Sequence, residues 1–228
     1  MKSRGLKDTK RKRDVYVQAR DSISHALDKL PAAALKKGKA KLILRMLNRI
    51  GQNSEFMPSL GPVKSKIIRD VIQKSSPNNL LEIGTLFGYS AVLFARLVPK
   101  GCKIITLEQS KENAKLASRV VRMAGFSGKI TIKRGNALEI LPKLRGTFDI
   151  VFIDARKDQY LDYLRLIEKR IPVGGIVIAD NVGVFKENVS EYLKYVKHSG
   201  KYSSKTVDTK FEFSDKIYDA IEISRKMR

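Results

Sequence analysis

The chain has 228 residues, 43% of them hydrophobic, with 46 Lys+Arg against 23 Asp+Glu and a formal net charge of +23. That length and apolar content suffice for one large unit whose core needs no disulfide or metal staples, and they exclude a wholly disordered chain. A single cysteine, Cys102, excludes an internal disulfide framework and a multi-cysteine zinc site, while the positive excess suits a polyanionic or phosphorylated partner without specifying a fold.

Residues 1–13 (MKSRGLKDTKRKR) hold seven Lys/Arg with no apolar stretch behind them. They read as a flexible basic arm and not as a secretory signal. Asp14–Leu30 carries Val15, Val17, Ile23, Ala26, Leu27 and Leu30 at the spacing of an amphipathic helix, and Pro31 interrupts it. Residues 32–50 read as a second helix with Lys and Arg outward. Residues 14–50 are thus basic helices packed on, or trailing from, a domain over 51–228. Gly51–Gly61 is a loop signal, and Lys64–Lys74 reads as a third helix stopped by Ser75-Ser76-Pro77. No apolar run approaches the roughly 18–20 residues that a membrane span needs, so the expectation is a cytoplasmic protein with no membrane partner.

From Asn79 the texture becomes a regular alternation. Apolar runs at Leu80–Ile83, Ile104–Leu107, Ile130–Ile132, Ile150–Ile153 and Ile176–Ala179 alternate with helical stretches at Ser90–Leu97, Lys111–Gly125, Ala137–Lys143 and Tyr160–Arg170. Continuous apolar strands separated by helices predict an α/β fold, a doubly wound parallel sheet buried on both faces. A helix over Asn188–His198 comes next. Strand-like stretches at Tyr202–Val207 and Ile217–Ile223 are close enough to pair as an antiparallel hairpin at one edge.

Ligands of such sheets bind beyond the carboxyl ends of the strands. Carboxylates stand there at Glu82, Glu108, Asp154 and Asp180, a grouping that suits a cationic ligand, a metal, or both. The first loop, Glu82-Ile83-Gly84-Thr85-Leu86-Phe87-Gly88-Tyr89-Ser90, lacks the middle glycine of a dinucleotide fingerprint, and Glu82 would repel a pyrophosphate. S-adenosylmethionine (SAM), with a sulfonium, an ammonium and ribose hydroxyls, fits better. Gly84 and Gly88 allow close approach to the backbone, Ser90 opens the next helix, and Glu108 stands where a ribose is gripped. Asp154, Asp180 and Asn181 offer hard oxygen ligands suited to Mg²⁺. Individually, Asp154 also fits a helix N-cap, and Asp180-Asn181 an Asx turn. Lys157, three residues past Asp154, can reach the same mouth as a general base, or be a solvated lysine.

The segments MPSLGPVKSKII (57–68), LLEIGTLFGYSAVLFARL (80–97), IITLEQSKENAKLA (104–117), KITIKRGNALEILPKL (129–144), DIVFIDARKDQYLDYL (149–164) and GGIVIADNV (174–182), in that order, resemble the cation-dependent class I O-methyltransferases of the catechol and caffeoyl-CoA group. The resemblance implies a Rossmann-like seven-stranded, mostly parallel sheet with its last strand antiparallel, plus N-terminal helices. It implies that Glu82 and Gly84 hold the cofactor's amino-acid end, with Ser90 assisting and Tyr89 in the cofactor loop. Glu108 would bind the ribose, and Ala137 would meet the adenine through its backbone. Asp154, Asp180 and Asn181 would bind Mg²⁺, with Asp154 also beside the cofactor. Lys157 would be the catalytic base, and the stretch from Met57 to Lys64 would close over the methionine moiety.

The chain also departs from the catechol enzymes. It has no tryptophan, and Ala155 and Arg156 stand where those enzymes have His and Trp. Gly183-Val184-Phe185-Lys186 replaces a proline-rich wall. Asp208 and Glu212 both compete for the acidic residue that grips the second hydroxyl. The expected function is Mg²⁺-dependent methyl transfer from SAM to a hydroxyl of a small vicinal-diol aromatic, by a monomer or homodimer. The alternative is a tRNA methyltransferase that uses the basic N-terminal region to grip phosphates, with Phe87, Tyr160 and Phe185 as stacking candidates. A non-enzymatic basic binding protein is disfavoured by the intact acidic set.

Overall fold

The computed structural model describes residues 2–31, 39–52, 60–211 and 216–228, with side chains from residue 14 onward. Residues 32–38 of the expected second helix, loop residues 53–59 with Met57, and Glu212 lie outside the described residues, as do the side chains of the basic stretch 1–13.

Seven strands form one sheet: β1 Asn79–Ile83, β2 Lys103–Glu108, β3 Ile130–Arg134, β4 Ile150–Ile153, β5 Ile176–Ala179, β6 Tyr202–Lys210 and β7 Tyr218–Lys226. Their order is β3-β2-β1-β4-β5-β7-β6, so β3 and β6 are the outer strands. The first five strands run parallel. The last, β7, is antiparallel to both neighbours and inserts between β5 and β6.

The apolar runs reflect burial on both faces. Leu80, Ile104, Ile150, Phe152 and Ile178 point into one cluster, while Leu81, Leu107, Val151, Ile153 and Val177 point into the other. The first cluster is covered by α1 Lys2–Asp28, α2 Lys39–Gln52, α3 Gly61–Ser75, α4 Tyr89–Leu97 and α5 Lys111–Met123. The second is covered by α6 Ala137–Ile140, α7 Tyr160–Ile167 and α8 Ser190–His198.

Several boundaries differ from the sequence reading, each for a local reason. The backbone is already helical at Lys2, where the sequence reads an arm, because Lys and Arg are good helix formers and no proline stands before Pro31. Helix α3 starts at Gly61 and not at Lys64, since Pro62 is at home in a first turn. The stretch expected as one helix over Ala137–Lys143 turns 3₁₀ at Leu141, where Pro142 has no N–H to continue the α ladder. The N-terminal helices belong to the core: Ala19, Ile23 and Leu27 of α1, with Ile43, Leu44 and Leu47 of α2, share the cluster beneath the sheet.

Ile23 is fully buried there. Ile23→Ala should lower stability by about 2–5 kcal/mol, read as one shifted urea transition. A separate, earlier transition for the N-terminal helices would mean that they fold apart from the sheet.

Candidate active site

From β1 the chain winds outward to β2 and β3, then returns to β4 on the other side of β1. The loops leaving β1 and β4 therefore part, and a crevice opens at this switch point. A cavity of about 430 Å³ lies in it. Of the residues picked out in the sequence, Gly84, Tyr89, Ser90, Glu108, Ala137, Asp154, Lys157 and Asn181 line this one cavity. Glu82 and Asp180 are buried behind its wall, and Gly88 caps the start of α4.

On the side of β1 and β2, Gly84 has φ +107°, and a Cβ there would overlap the Asp154 carbonyl oxygen. Only glycine lets the end of β1 pass this close to the end of β4. Glu108 is fixed by two backbone donors: Leu86 N to Oε2 and Ser110 N to Oε1, both at 2.8 Å. Burial raises its pKa, and the Ser110 and Leu86 donors pull it back. Glu82 lies deeper. Its Oε2 accepts from the Thr106 hydroxyl, which also bonds that of Thr85. Its Oε1 has no hydrogen-bond partner among the described residues. Burial pushes Glu82 up to about 7 against the opposing Ser90 and Thr106 hydroxyls. This buried carboxyl, with the Ser90 hydroxyl beside it, fits the end of the cavity where a cationic ligand group would sit.

On the side of β4 and β5, the pairing of Ile153 with Ala179 sets Asp154 beside Asp180. Asn181 adopts φ +58°, a left-handed conformation that Asn tolerates better than most residues. Lys157, in a 3₁₀ turn after β4, donates from Nζ to Asp154 Oδ1 (2.7 Å), Asn181 Oδ1 (2.9 Å) and Tyr160 Oη (2.7 Å). The Tyr160 hydroxyl in turn donates to the Asp180 carbonyl (3.1 Å).

Two residues missed in the sequence complete this end. Lys64 of α3 is 1% exposed, and its Nζ lies 2.6 Å from Asp180 Oδ1 and 2.5 Å from Asp219 Oδ2. Burial raises the Asp180 pKa, with Lys64 opposing and Asp154 adding to the rise. At Asp219 burial is outweighed by Lys64 and by donors from Val184 and Asn181, so its pKa is lowered. Three carboxylates thus meet two ammonium groups, leaving one negative charge over.

The donor set Asp154, Asp180 and Asn181 consists of hard oxygens, and Lys157 bridges two of them as a divalent cation would. These residues fit Mg²⁺. Among the described residues no group of three or more His, Cys, Asp or Glu side chains could hold a metal, so any ligand set here depends on the amide of Asn181.

Tyr16 of α1 and Phe211 also line the cavity, and neither carried a signal in the sequence. Burial raises the Tyr16 pKa, Asp154 raises it further, and Lys157 lowers it, so its hydroxyl feels that pair. Of the aromatic candidates, Phe87 and Tyr160 are buried, while Phe185 is 37% exposed with Lys157 Nζ 5.7 Å from its ring centre. Asp208 is turned away from the cavity: it is exposed and accepts the Tyr218 hydroxyl at 2.8 Å.

A seven-stranded sheet of this order, with an acidic crevice at its switch point, defines a class I SAM-dependent methyltransferase. The chain belongs to the O-methyltransferase family, whose profile matches residues 39–202. It is 31% identical over 195 residues to catechol O-methyltransferase B of Danio rerio, covering 82% of this chain and 73% of that protein. It is 32% identical over 187 residues to the transmembrane O-methyltransferase homolog of Mus musculus, covering 78% and 72%. No helix among the described residues is long and apolar enough to cross a membrane. The fold matches the O-methyltransferase from Bacillus cereus in complex with SAH, with a TM-score of 0.71, 24% identity and coverage of 89% and 96%. It also matches TomG from Streptomyces achromogenes in complex with SAM, with a TM-score of 0.73, 21% identity and coverage of 85% and 91%.

The Glu82 shift carries a pH signature. Below its ordinary value of 4.5 the carboxyl is protonated in both folded and unfolded chains; between 4.5 and about 7 only the folded chain keeps the proton. Its contribution to stability is therefore complete below 4.5 and is lost as pH rises through 7. Denaturant titrations without cofactor should show wild type losing up to about 3 kcal/mol across that window relative to Glu82→Gln. Parallel curves for the two proteins would place the proton elsewhere.

Proposed function

We propose that the chain is a Mg²⁺-dependent O-methyltransferase that transfers the methyl group of SAM to one hydroxyl of a small aromatic bearing two neighbouring oxygens. The observation that carries this reading is the Lys157 ammonium bridging Asp154 and Asn181 beside Asp180, in the same cavity as Glu108. The relatives named for catechol support the acceptor class. Tyr16, Phe185 and Phe211 give that cavity aromatic walls suited to a planar ring. The buried free thiol of Cys102 is in keeping with a reducing, cytoplasmic setting.

In this reading Glu108 accepts hydrogen bonds from the ribose hydroxyls. Ser90, at the start of α4, meets the amino-acid end of the cofactor, with Glu82 behind it and Tyr89 alongside. Ala137 offers its backbone to the adenine. Asp154, Asp180 and Asn181 would hold the cation, which when bound supplies Lewis acidity to a chelated hydroxyl. Lys157 Nζ, once it has given up its own proton, takes the hydroxyl proton. The acceptor oxygen bonds to the methyl carbon as the carbon–sulfur bond breaks, and sulfur departs as a neutral thioether. Much of the acceleration comes from holding oxygen, carbon and sulfur in line.

A labelled-methyl assay against a catechol panel and total tRNA, with Mg²⁺ or with EDTA, tests the whole. Transfer to catechols that stops with EDTA is expected; transfer to tRNA alone would replace the acceptor, and transfer in EDTA would remove the metal. Lys157→Met should lower kcat by about 10²–10⁴-fold with SAM affinity nearly unchanged. An unaltered kcat would remove Lys157 as the base.

A further inference from the structure

Asp219 lies at the start of β7, facing the loop that leaves β5, and its carboxylate is saturated with donors. Oδ2 accepts from Asn181 Nδ2 (2.8 Å) and Lys64 Nζ (2.5 Å). Oδ1 accepts from the backbone N–H groups of Val184 (3.0 Å) and Gly183 (3.2 Å). Its approach requires a glycine in the loop: a Cβ on Gly183 would meet the Asp219 carbonyl carbon and the Ala220 nitrogen at 2.6 Å.

An asparagine amide has a donor end and an acceptor end, and its neighbours decide which way it faces. Here Asp219, an acceptor only, takes the Nδ2 end of Asn181. The Oδ1 end is thereby turned to Lys157 Nζ, at 2.9 Å. Lys64 ties the same device to the neighbouring carboxylate: it bonds Asp180 Oδ1, which also accepts from Asn181 N at 2.7 Å. Asp219 touches neither Asp154 nor Lys157 by any hydrogen bond among the described residues, so it acts through Asn181.

We infer that Asp219, clamped by Lys64, is a positioning residue that holds the Asn181 amide with its oxygen toward the cation. This rests on the Mg²⁺ reading above. An amide at position 219 would reverse the arrangement. The Val184 and Gly183 N–H groups keep its oxygen, so its NH₂ faces the Asn181 NH₂ and the Lys64 ammonium, donor against donor. Asn181 relieves the conflict by turning over, which presents NH₂ where the cation needs oxygen.

The test is binding of Mn²⁺, as a spectroscopic stand-in for Mg²⁺, to the full chain by EPR titration, with SAM affinity and thermal unfolding measured alongside. Asp219→Asn should weaken Mn²⁺ by about 10–100-fold, the usual cost of removing an outer partner of a metal ligand, while SAM affinity stays within about twofold. Asp219→Glu keeps the charge but displaces the carboxylate by one methylene, and should weaken Mn²⁺ comparably. Retention of wild-type affinity by either folded variant overturns the positioning role. A wild-type protein that binds SAM but no Mn²⁺ overturns the metal reading itself, a distinct result. Independently of metal, the Asn181 side-chain NH₂ resonances should move in Asp219→Asn; unchanged resonances would show that Asp219 does not set the amide.

Discussion

A carboxylate taken out of water costs several kcal/mol unless a cation or several donors meet it, and this chain brings two buried ones, Asp180 and Asp219, to one end of its sheet beside a third, half-buried one, Asp154. Asp154 comes after β4, Asp180 after β5, and Asp219 opens β7. None is next to another in sequence. Their convergence is imposed by strand order, because the hairpin strand β7 inserts beside β5 and carries Asp219 to the loop after β5. Lys64 and Lys157 then make the arrangement tolerable, one from a helix packed under the sheet and one from the loop after β4. The placement of α3, the hairpin register and the left-handed turn at Asn181 all bear on how these charges are met.

The end of the crevice around Glu82 is built on a different principle. Its polar groups sit on the sheet itself: Glu82 and Thr106 are neighbours across β1 and β2, and Thr85 joins them through its hydroxyl. Charge there is met by hydroxyl and backbone dipoles. The two ends of the crevice consequently differ in character. One is a lattice of full charges held by lysines, and the other is a set of acceptors held by neutral donors. The two ends share one cavity, and Asp154 lines it between them.

The sheet was legible because parallel strands buried on both faces must be apolar throughout, and runs such as Ile150–Ile153 and Ile176–Ala179 match their observed bounds. Asp154 and Asp180 were legible for the same reason, since each follows the last apolar residue of its run, whereas Glu82, expected beyond the end of the first strand, lies inside β1 and Glu108 closes β2. Lys64 was not: it is one of 46 basic residues, and nothing in its helical spacing distinguishes a buried ammonium from a solvated one. Asp219 was hidden inside the strand-like stretch Ile217–Ile223, where nothing in sequence marks one acidic residue as facing the loop after β5. Tyr16 was hidden by distance, reaching the cavity from a helix that sequence alone could only call packed or trailing.

The outer strands of the sheet give the unusual charge a second meaning. An unpaired edge exposes N–H and C=O groups to any passing strand, and lysine there discourages such pairing. β3 carries Lys133 and Arg134 exposed on one flank, and β6 carries Lys205 and Lys210 exposed on the other. Two copies approaching flank to flank would bring like charges together before any ladder could form. Some of the positive excess thus stands at both unpaired edges of the sheet, the placement that disfavours strand-to-strand pairing between copies.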